Sequence, residues 1–203
     1  MSASKGDVTD EVLMVRFQRG ERAAFAMLVR RHQTALFNFA FRQIGAHAVA
    51  EEVVQDAFIR VVQNAADFKH EARFTTWVYT ILRNLCIDQL RRRALRRHPS
   101  LDASRDGTED GPTLLEQTAD RTANVERQAA GTELKERISQ AVEALPDEQR
   151  EVFLMREVSN LPFKEIALIT GVPENTVKSR MRYALERLQQ ALCEYEEYAR
   201  ALR

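Results

Sequence analysis

The sequence is poor in glycine, proline and cysteine, and each shortage excludes a class of protein. Seven Gly and five Pro among 203 residues are too few for a chain rich in strands and tight turns. Cys86 and Cys193 lie far apart and outside any Cys-x-x-Cys pair, so we expect two buried free thiols rather than a disulfide. The four His show no metal-ligand spacing with each other or with the Cys. We therefore expect no metal site and no bound cofactor.

Long apolar runs, a secretory leader and catalytic motifs are also missing. No stretch approaches the ~20 apolar residues that span a bilayer, and no basic-then-apolar segment opens the chain. We therefore expect a cytoplasmic protein that does not insert into a membrane. The sequence has no Gly-rich phosphate loop, acid pair or nucleophile constellation, so we expect that it is not an enzyme.

Apolar residues recur at helical spacing over residues 8–97, without period-two alternation. Three stripes are present: Phe25, Leu28, Val29, Leu36, Phe39 and Ala40; Val53, Val54, Ala57, Phe58, Val61 and Val62; and Trp77, Val78, Ile81, Leu82, Leu85 and Leu90. They predict a first domain of three or four helices.

The character of the chain changes at residues 98–132, which are rich in Ser, Asp, Gly and Pro. Such a segment buries too little apolar surface to offset its conformational entropy, so it predicts a flexible linker. Helical spacing resumes over residues 133–200, first with Leu134, Ile138, Ala141 and Val142, then with a new helix whose first turn contains Pro146. The fold class predicted is all-α, with two small helical domains joined by this linker.

The stretch LPFKEIALITGVPENTVKSRMRYALERL, residues 161–188, predicts two helices joined at Gly171, with Pro173 in the first position of the second. At 100° per residue, the positions that should pack inward are Val177, Met181, Ala184, Leu185 and Leu188. The positions that face outward are Asn175, Thr176, Ser179, Arg182 and Tyr183, with Lys178 beside them. Short polar side chains and cations on a helix suit a DNA major groove. A solvated amphipathic helix in a small bundle is the alternative, and the pattern does not distinguish repressors from response regulators or initiation factors.

The formal net charge is zero, but the charge is unevenly distributed. It is +6 over residues 1–98, −4 over 99–132 and −2 over 133–203. In the basic segment, cations alternate with aromatic side chains over residues 68–97, an arrangement typical of proteins that hold single-stranded nucleic acid. The alternative is that Trp77 belongs to the core and the arginines form a solvated helix end.

Three motifs carry a resemblance to a known family. AEEVVQDAFIRVVQNAADF, then RFTTWVYTILRNLCIDQLRRR, then the C-terminal helix-turn-helix resemble the sigma-70 family of bacterial transcription initiation factors, in its short extracytoplasmic-function (ECF) branch. The resemblance implies that residues 8–97 are sigma region 2, which binds core RNA polymerase and melts the −10 element. It implies that residues 133–200 are sigma region 4, which reads the −35 element. The acidic segment 98–132 then threads a polymerase channel, with an inert tether as the alternative.

The same resemblance implies roles for individual residues. The surface for core polymerase, its beta and beta-prime subunits, is implied to be Glu51, Glu52, Gln55, Asp56 and Phe58. The residues implied to bind the single-stranded −10 element are Phe68, Lys69, His70, Glu71, Ala72, Arg73, Phe74, Trp77, Asn84, Arg91 and Arg92. The residues implied to bind the −35 duplex are Pro173, Thr176, Lys178, Ser179, Arg180, Arg182 and Tyr183. Larger relatives carry two adjacent aromatic residues where this chain has Trp77 and Val78, so a wedge role and a core role for Trp77 both stay open.

The function expected is promoter-specific transcription initiation, with an anti-sigma factor as a further partner that in some relatives lies at the membrane. Two other functions are compatible with parts of the sequence. A regulator that binds duplex DNA as a dimer needs no polymerase, but the sequence lacks a second symmetric coiled-coil seam. An adaptor for RNA or single strands, built on the basic segment, leaves the helix-turn-helix unexplained.

Overall fold

The computed structural model describes residues 8–69, 71–96 and 136–201, and all its regular elements in these ranges are helical. The helices are α1 (Asp10–Gln18), α2 (Arg22–Ile44), α3 (His47–Gln63), α4 (Phe74–Arg96), α5 (residues 136–143), α6 (Asp147–Glu157), α7 (Phe163–Thr170) and α8 (Glu174–Ala201), with a short 3-10 turn at Ala65–Asp67. The predicted all-α class is confirmed. The predicted linker, residues 98–132, lies outside the described residues, as do His70 and Leu134.

The N-terminal domain consists of α1 to α4, the upper end of the predicted helix number. Its core is built on Phe39, Leu82 and Val53, whose side chains are fully buried. The ring of Phe39 meets Tyr79 edge to face, with 5.6 Å between ring centroids. Helix α2 ends at Gly45, which adopts the left-handed conformation (φ 73°) that glycine accepts most readily.

The first helix is attached to α2 by a polar cluster. Asp10 Oδ1 accepts a hydrogen bond from Arg31 Nη1 at 2.8 Å, and Asp10 Oδ2 lies 2.7 Å from His32 Nε2. The hydrogen bond with His32, supported by Arg31, lowers the pKa of Asp10 below its ordinary value, although partial burial acts in the opposite direction. The start of α1 is therefore held to α2 by a charged contact as well as by the core.

The C-terminal domain consists of α5 to α8, and the core of its last three helices is formed by Val152, Met155, Ile166 and Val177. Its helix starts differ by one residue from the predictions. Pro146 directly precedes α6, and Pro173 directly precedes α8. The Pro173 carbonyl accepts hydrogen bonds from the backbone N–H groups of Thr176 and Val177, in the first turn of α8, at 2.9 and 3.1 Å. Proline therefore caps these helices instead of occupying their first position.

Four side chains expected inside the protein are exposed. They are Val62 (44% exposed), Ile138 (40%), Leu185 (47%) and the free thiol Cys193. Val62 and Leu185 each follow a fully buried residue, and a rotation of about 100° from that neighbour places both on the outer part of their helices. The prediction of a free, buried thiol is confirmed for Cys86.

The two domains pack directly on each other. Helix α7 lies against α4, and α6 lies against α2. The predictions from the sequence did not include this contact. Among the described residues, no helix is long and apolar enough to cross a bilayer.

Candidate polymerase and nucleic-acid interfaces

Helix α8 presents a polar face at the surface of the C-terminal domain. The side chains exposed on it include Lys178, Ser179, Arg182 and Tyr183, while Val177, Met181, Ala184 and Leu188 are buried beneath them. The left-handed Gly171 (φ 72°) ends α7 and lets α8 leave at an angle. This is the arrangement predicted for the second helix of a helix-turn-helix, apart from Leu185.

The exposed cations of this face are paired within the helix. Lys178 Nζ lies 2.7 Å from Glu174 Oε1, and Arg182 Nε lies 3.7 Å from Glu186 Oε1. The Arg182 guanidinium also lies over the Tyr183 ring, 4.9 Å from its centroid. Exposed pairs of this kind are weak, about 0.3–0.5 kcal/mol, so both cations are available to a stronger anionic partner.

Arg180 is placed differently from these two cations. Its guanidinium forms an ion pair of 2.5 Å with Glu148 of α6, and only 19% of its side chain is exposed. Its geometry is that of a contact that joins α8 to α6. A contact of Arg180 with the −35 duplex, as the resemblance implies, requires that it leave Glu148.

The predicted −10 loop, residues 68–74, is anchored by its two aromatic ends. Phe68 and Phe74 are buried, and their rings pack against Trp77 with centroid distances of 5.1 and 6.3 Å. Gln18 Nε2 donates to the Phe68 carbonyl at 3.0 Å, and the Phe74 N–H donates to Glu11 Oε1 at 3.1 Å. In this conformation the two phenylalanines fix the shape of the loop and do not face solvent.

The rest of the predicted −10 set lies at the surface, with the exception of His70, which is outside the described residues. The exposed members are Lys69, Glu71, Ala72, Arg73, Asn84, Arg91 and Arg92. Trp77, Asn84 and Arg91 are seven residues apart and therefore lie along one side of α4. Trp77 is half-buried, so it contributes one side to the core and one to this surface.

The predicted polymerase face lies on α3. Glu51, Glu52, Gln55 and Asp56 are exposed, while Phe58 is half-buried and packs edge to face on another phenylalanine of the core. Two apolar side chains that the sequence reading did not include extend the same face. Ile59 is 51% exposed and Val62 is 44% exposed, seven residues beyond Glu52 and Gln55 respectively. The seven-residue spacing from Glu52 and Gln55 could have identified these two side chains from the sequence. They give the acidic face of α3 an apolar end.

Two carboxylates of the C-terminal domain, Glu151 and Glu165, were also missed. Each is only 7% exposed. Glu151 pairs with Arg83 of α4, while Glu165 pairs with Arg73 and accepts hydrogen bonds from two threonines in the first turn of α4. Burial raises the pKa of Glu151, and the neighbouring Arg83 offsets this only in part. Nothing in the sequence marks these two residues, because both lie at the contact between the two domains, which a local pattern does not reveal. Among the described residues, no group of three or more His, Cys, Asp or Glu side chains is arranged to hold a metal ion.

Comparisons with known proteins match these two domains. The family model described as Sigma-70 region 2 matches residues 28–96, and the model described as Sigma-70, region 4 matches residues 135–188. The ECF RNA polymerase sigma factor SigW of Bacillus subtilis is 33% identical over 86% of this chain and 92% of its own. The ECF RNA polymerase sigma-E factor of Escherichia coli strain K12 is 33% identical over 88% of this chain and 92% of its own.

Two solved structures share the fold at 24% sequence identity. CnrH in complex with the cytosolic domain of CnrY has a TM-score of 0.65 and covers 91% of this chain and 97% of its own. The sigma factor RpoE of Bartonella quintana, in complex with the anti-sigma factor NepR, has a TM-score of 0.65 and covers 83% of this chain and 96% of its own. With both region models matched in order and full-length relatives at 33% identity, the chain belongs to the ECF subfamily of the sigma-70 family of RNA polymerase sigma factors.

Proposed function

We propose that the chain directs core RNA polymerase to specific promoters and that three of its surfaces divide this work. The acidic face of α3 binds core polymerase, the loop 68–74 with α4 holds the opened −10 strand, and the outer face of α8 reads the −35 duplex. The observation that carries the proposal is the exposed polar face of α8 beyond the Gly171 turn, in a chain that also exposes an acidic face on α3. The chain acts by binding alone, in the cytoplasm, and is not an enzyme.

The −35 element is read by Lys178, Ser179 and Arg182. All three lie on the exposed side of α8, near its N-terminal end, which is the part of a recognition helix that enters the major groove. Thr176 and Pro173 fix the start of the helix, and Tyr183 supports the Arg182 guanidinium. Base-edge contacts from these side chains provide the selection of the site.

The −10 strand is held by exposed groups around a rigid frame. Lys69 and Arg73 supply charge to the phosphates, and the frame is the aromatic cluster of Phe68, Phe74 and Trp77. Each base that the loop captures offsets part of the free energy needed to unpair the duplex, so the opened state is selected without a chemical step. Asn84, Arg91 and Arg92 extend this surface along α4.

Core polymerase, through its beta and beta-prime subunits, is the partner of the α3 face, and Ile59 and Val62 add apolar contact area to it. An anti-sigma factor is a further partner, as the Bartonella quintana complex shows for its own sigma factor. Promoter DNA is the third partner, as duplex at −35 and as single strand at −10.

Reconstitution with core polymerase tests the proposal. Purified chain and core polymerase are mixed with a promoter library, and transcripts are mapped to their start sites. We expect initiation at a defined class of promoter that core polymerase alone does not use. If the chain neither binds core polymerase nor changes its start sites, the proposed function is wrong.

A charge reversal on α3 tests the division of labour. The double variant Glu52→Lys with Asp56→Lys places two cations on the proposed polymerase face, and it should lose binding to core polymerase while the helical fold is retained. Glu21→Lys is the control, since Glu21 is an exposed acid of the same domain that lies outside α3. Equal losses from the control and the double variant would contradict the assignment of α3.

A dimeric regulator that acts on DNA without polymerase is the second candidate function. It requires autonomous affinity for duplex DNA, which depends on phosphate attraction. The formal net charge of zero and the paired cations of α8 both oppose such affinity. Both features favour a chain that reads DNA only when polymerase is present.

A further inference from the structure

The −10 loop is held at both of its ends by two side chains of α1, which we call the anchors. Gln18 Nε2 donates one hydrogen bond to the Phe68 carbonyl at 3.0 Å and another to the Ala65 carbonyl at 2.7 Å. At the other end of the loop, Glu11 Oε1 accepts a hydrogen bond from the Phe74 N–H at 3.1 Å. One short helix therefore fixes the backbone on both sides of the loop.

The spacing of the anchors sets the shape of the loop between them. Glu11 and Gln18 are seven residues apart, so they lie on the same side of α1, about 10 Å from each other along its axis. The six residue steps of the loop can span about 20 Å when the chain is extended. The chain turns back instead, and the Ala72 N–H donates to the Lys69 carbonyl at 2.9 Å. The loop therefore arches away from α1 by an amount that the two anchors determine.

Each anchor has the chemistry that its backbone partner needs. The first N–H groups of a helix have no partner within that helix, and Phe74 is the first residue of α4. A carboxylate oxygen can accept from such a group and also suits the positive end of the helix dipole, so Glu11 caps α4. The amide nitrogen of Gln18 has two N–H donors, and it supplies them to two carbonyls.

Helix α1 is a firm support for the anchors. Leu13 and Met14, which lie between them in the sequence, are fully buried in the core. Asp10, next to Glu11, contacts His32 of α2 at 2.7 Å, and the His32 ring lies 5.2 Å from the Phe74 ring, between centroids. The contact that holds the start of α1 therefore also touches the end of the −10 loop.

A cavity of about 490 Å³ lies between the end of α1 and the first half of the loop. Its lining is Val15, Gln18 and Arg19 on one side and Phe68, Lys69 and Glu71 on the other. The hydrogen bonds of Gln18 join these two sides, so they set the width of the cavity. Gln18 belongs to the described lining, whereas Glu11 lies outside it.

We propose that Gln18 and Glu11 are positioning residues for −10 recognition, which hold the loop in the shape that discriminates between bases of the opened strand. This proposal rests on the function proposed above for the −10 loop. Both residues act through the loop backbone. A loop released at either end adopts several shapes, so it loses preorganisation and binds different bases with more nearly equal affinity.

The variants remove each anchor with little change in side-chain volume. Gln18→Met cannot donate to the two carbonyls, and Glu11→Met lacks the carboxylate that accepts from Phe74. Glu11→Gln is the conservative variant, because it keeps an accepting oxygen. Gln33→Met is the control, at an exposed glutamine of α2. Met, Gln and Glu have similar helix propensities, so the helices should be retained, which circular dichroism checks.

Amide hydrogen exchange of the full chain, without polymerase, measures the anchoring itself. The net value of one hydrogen bond corresponds to about 2- to 12-fold in an equilibrium constant. We expect the amides of residues 68–74 to exchange faster by about this factor in Gln18→Met and in Glu11→Met. Glu11→Gln and Gln33→Met should exchange at the wild-type rate.

Binding to promoter fragments measures the consequence for recognition. The chain bound to core polymerase is mixed with fragments that keep the −35 duplex and have an unpaired −10 strand, in which each position carries each of the four bases in turn. Gln18→Met and Glu11→Met should lower the preference for the best base by about 2- to 12-fold at the position that the loop reads. Their affinity for core polymerase should not change, and Glu11→Gln should keep the wild-type preference.

Four results would overturn the proposal. They are wild-type exchange in both anchor variants, faster exchange with an unchanged base preference, an equal loss of affinity for all four bases, and a loss of preference in Gln18→Met alone. The last result would indicate direct contact of Gln18 with the base, since Glu11 lies outside the cavity lining.

A wild type without any base preference in the −10 strand would refute the proposed function of the loop, and the proposal would fail with it. This failure differs from the four results above because it appears in the wild type. Hydrogen exchange, which needs no polymerase, still reports whether the anchors hold the loop.

Discussion

Arg182 on the exposed face of α8 gives the sharpest test of how the −35 element is read. Among the described residues its guanidinium contacts only Glu186 at 3.7 Å and the Tyr183 ring at 4.9 Å, and 65% of the side chain is exposed. Loss of the exposed ion pair costs about 0.3–0.5 kcal/mol. Loss of the exposed cation–π contact costs about 0.5–1 kcal/mol. Arg182→Ala should therefore leave the C-terminal domain folded.

The expected effect on promoter binding is larger and specific to one position. Loss of an arginine that donates to a base edge costs about 1–3 kcal/mol and relaxes selectivity at that base pair. This free energy corresponds to a loss of about 5- to 150-fold in affinity. Polymerase bound to Arg182→Ala should therefore bind the preferred −35 sequence more weakly and lose its preference at one base pair only.

The measurement is the fluorescence anisotropy of labelled −35 duplexes mixed with the polymerase-bound chain. Each base pair of the element is changed in turn, and each duplex is measured at several salt concentrations. Arg187→Ala is the matched control, because Arg187 is an exposed arginine of the same helix that points about 140° away from Arg182. A loss that is uniform across all duplexes, with a salt slope smaller by about 1, would indicate a phosphate contact and refute the base assignment. Equal losses for Arg182→Ala and Arg187→Ala would refute it too.

Three further predictions concern the N-terminal domain and the two thiols. Phe39→Ala, at a fully buried side chain, should lower the free energy of unfolding by about 3–5 kcal/mol in a urea titration, and a change below about 1 kcal/mol would contradict the proposed core. Asp10→Asn should be less stable than the wild type at pH 7. This difference in the free energy of unfolding should shrink as the pH falls below 3.8 and through the lowered pKa of Asp10, because protonation then removes the same charge from the wild type. A difference that does not change with pH would exclude the ionic contribution. Cys193 is exposed, whereas burial raises the pKa of Cys86 to about 12, so a thiol reagent should label Cys193 alone until denaturant is added, as judged by mass spectrometry of peptides.

Much of the fold follows from local signals in the sequence. The periodic apolar stripes predicted the helices, and Gly171 between two such stripes predicted the turn that orients α8. The outward position of Ser179 and Arg182 followed from the 100° rotation per residue, since the opposite side of α8 is continuously apolar. These features depend on neighbours within a few residues, which is why one sequence was sufficient.

The remaining features depend on contacts between distant parts of the chain. Phe68 and Phe74 lie beside cations and were expected at the nucleic-acid surface, but the structure buries both. Aromatic residues next to charges have the same pattern whether they face a ligand or the core. Glu151 and Glu165 lie on amphipathic helices where acids are ordinary, and their pairing with α4 appears only when the two domains meet. A local sequence pattern contains no information on whether two distant domains come into contact.

The local pairing of the α8 cations has a consequence for how the protein is distributed in a cell. A chromosome offers about 10⁶ or more competing non-specific sites, and a cationic protein partitions onto them. This chain has a formal net charge of zero, and Lys178 and Arg182 are each matched by an acid one helical turn away. The recognition helix of the free chain therefore adds little non-specific attraction to bulk DNA. The distribution of the protein along a chromosome is therefore set by the polymerase that it joins more than by its own attraction to DNA.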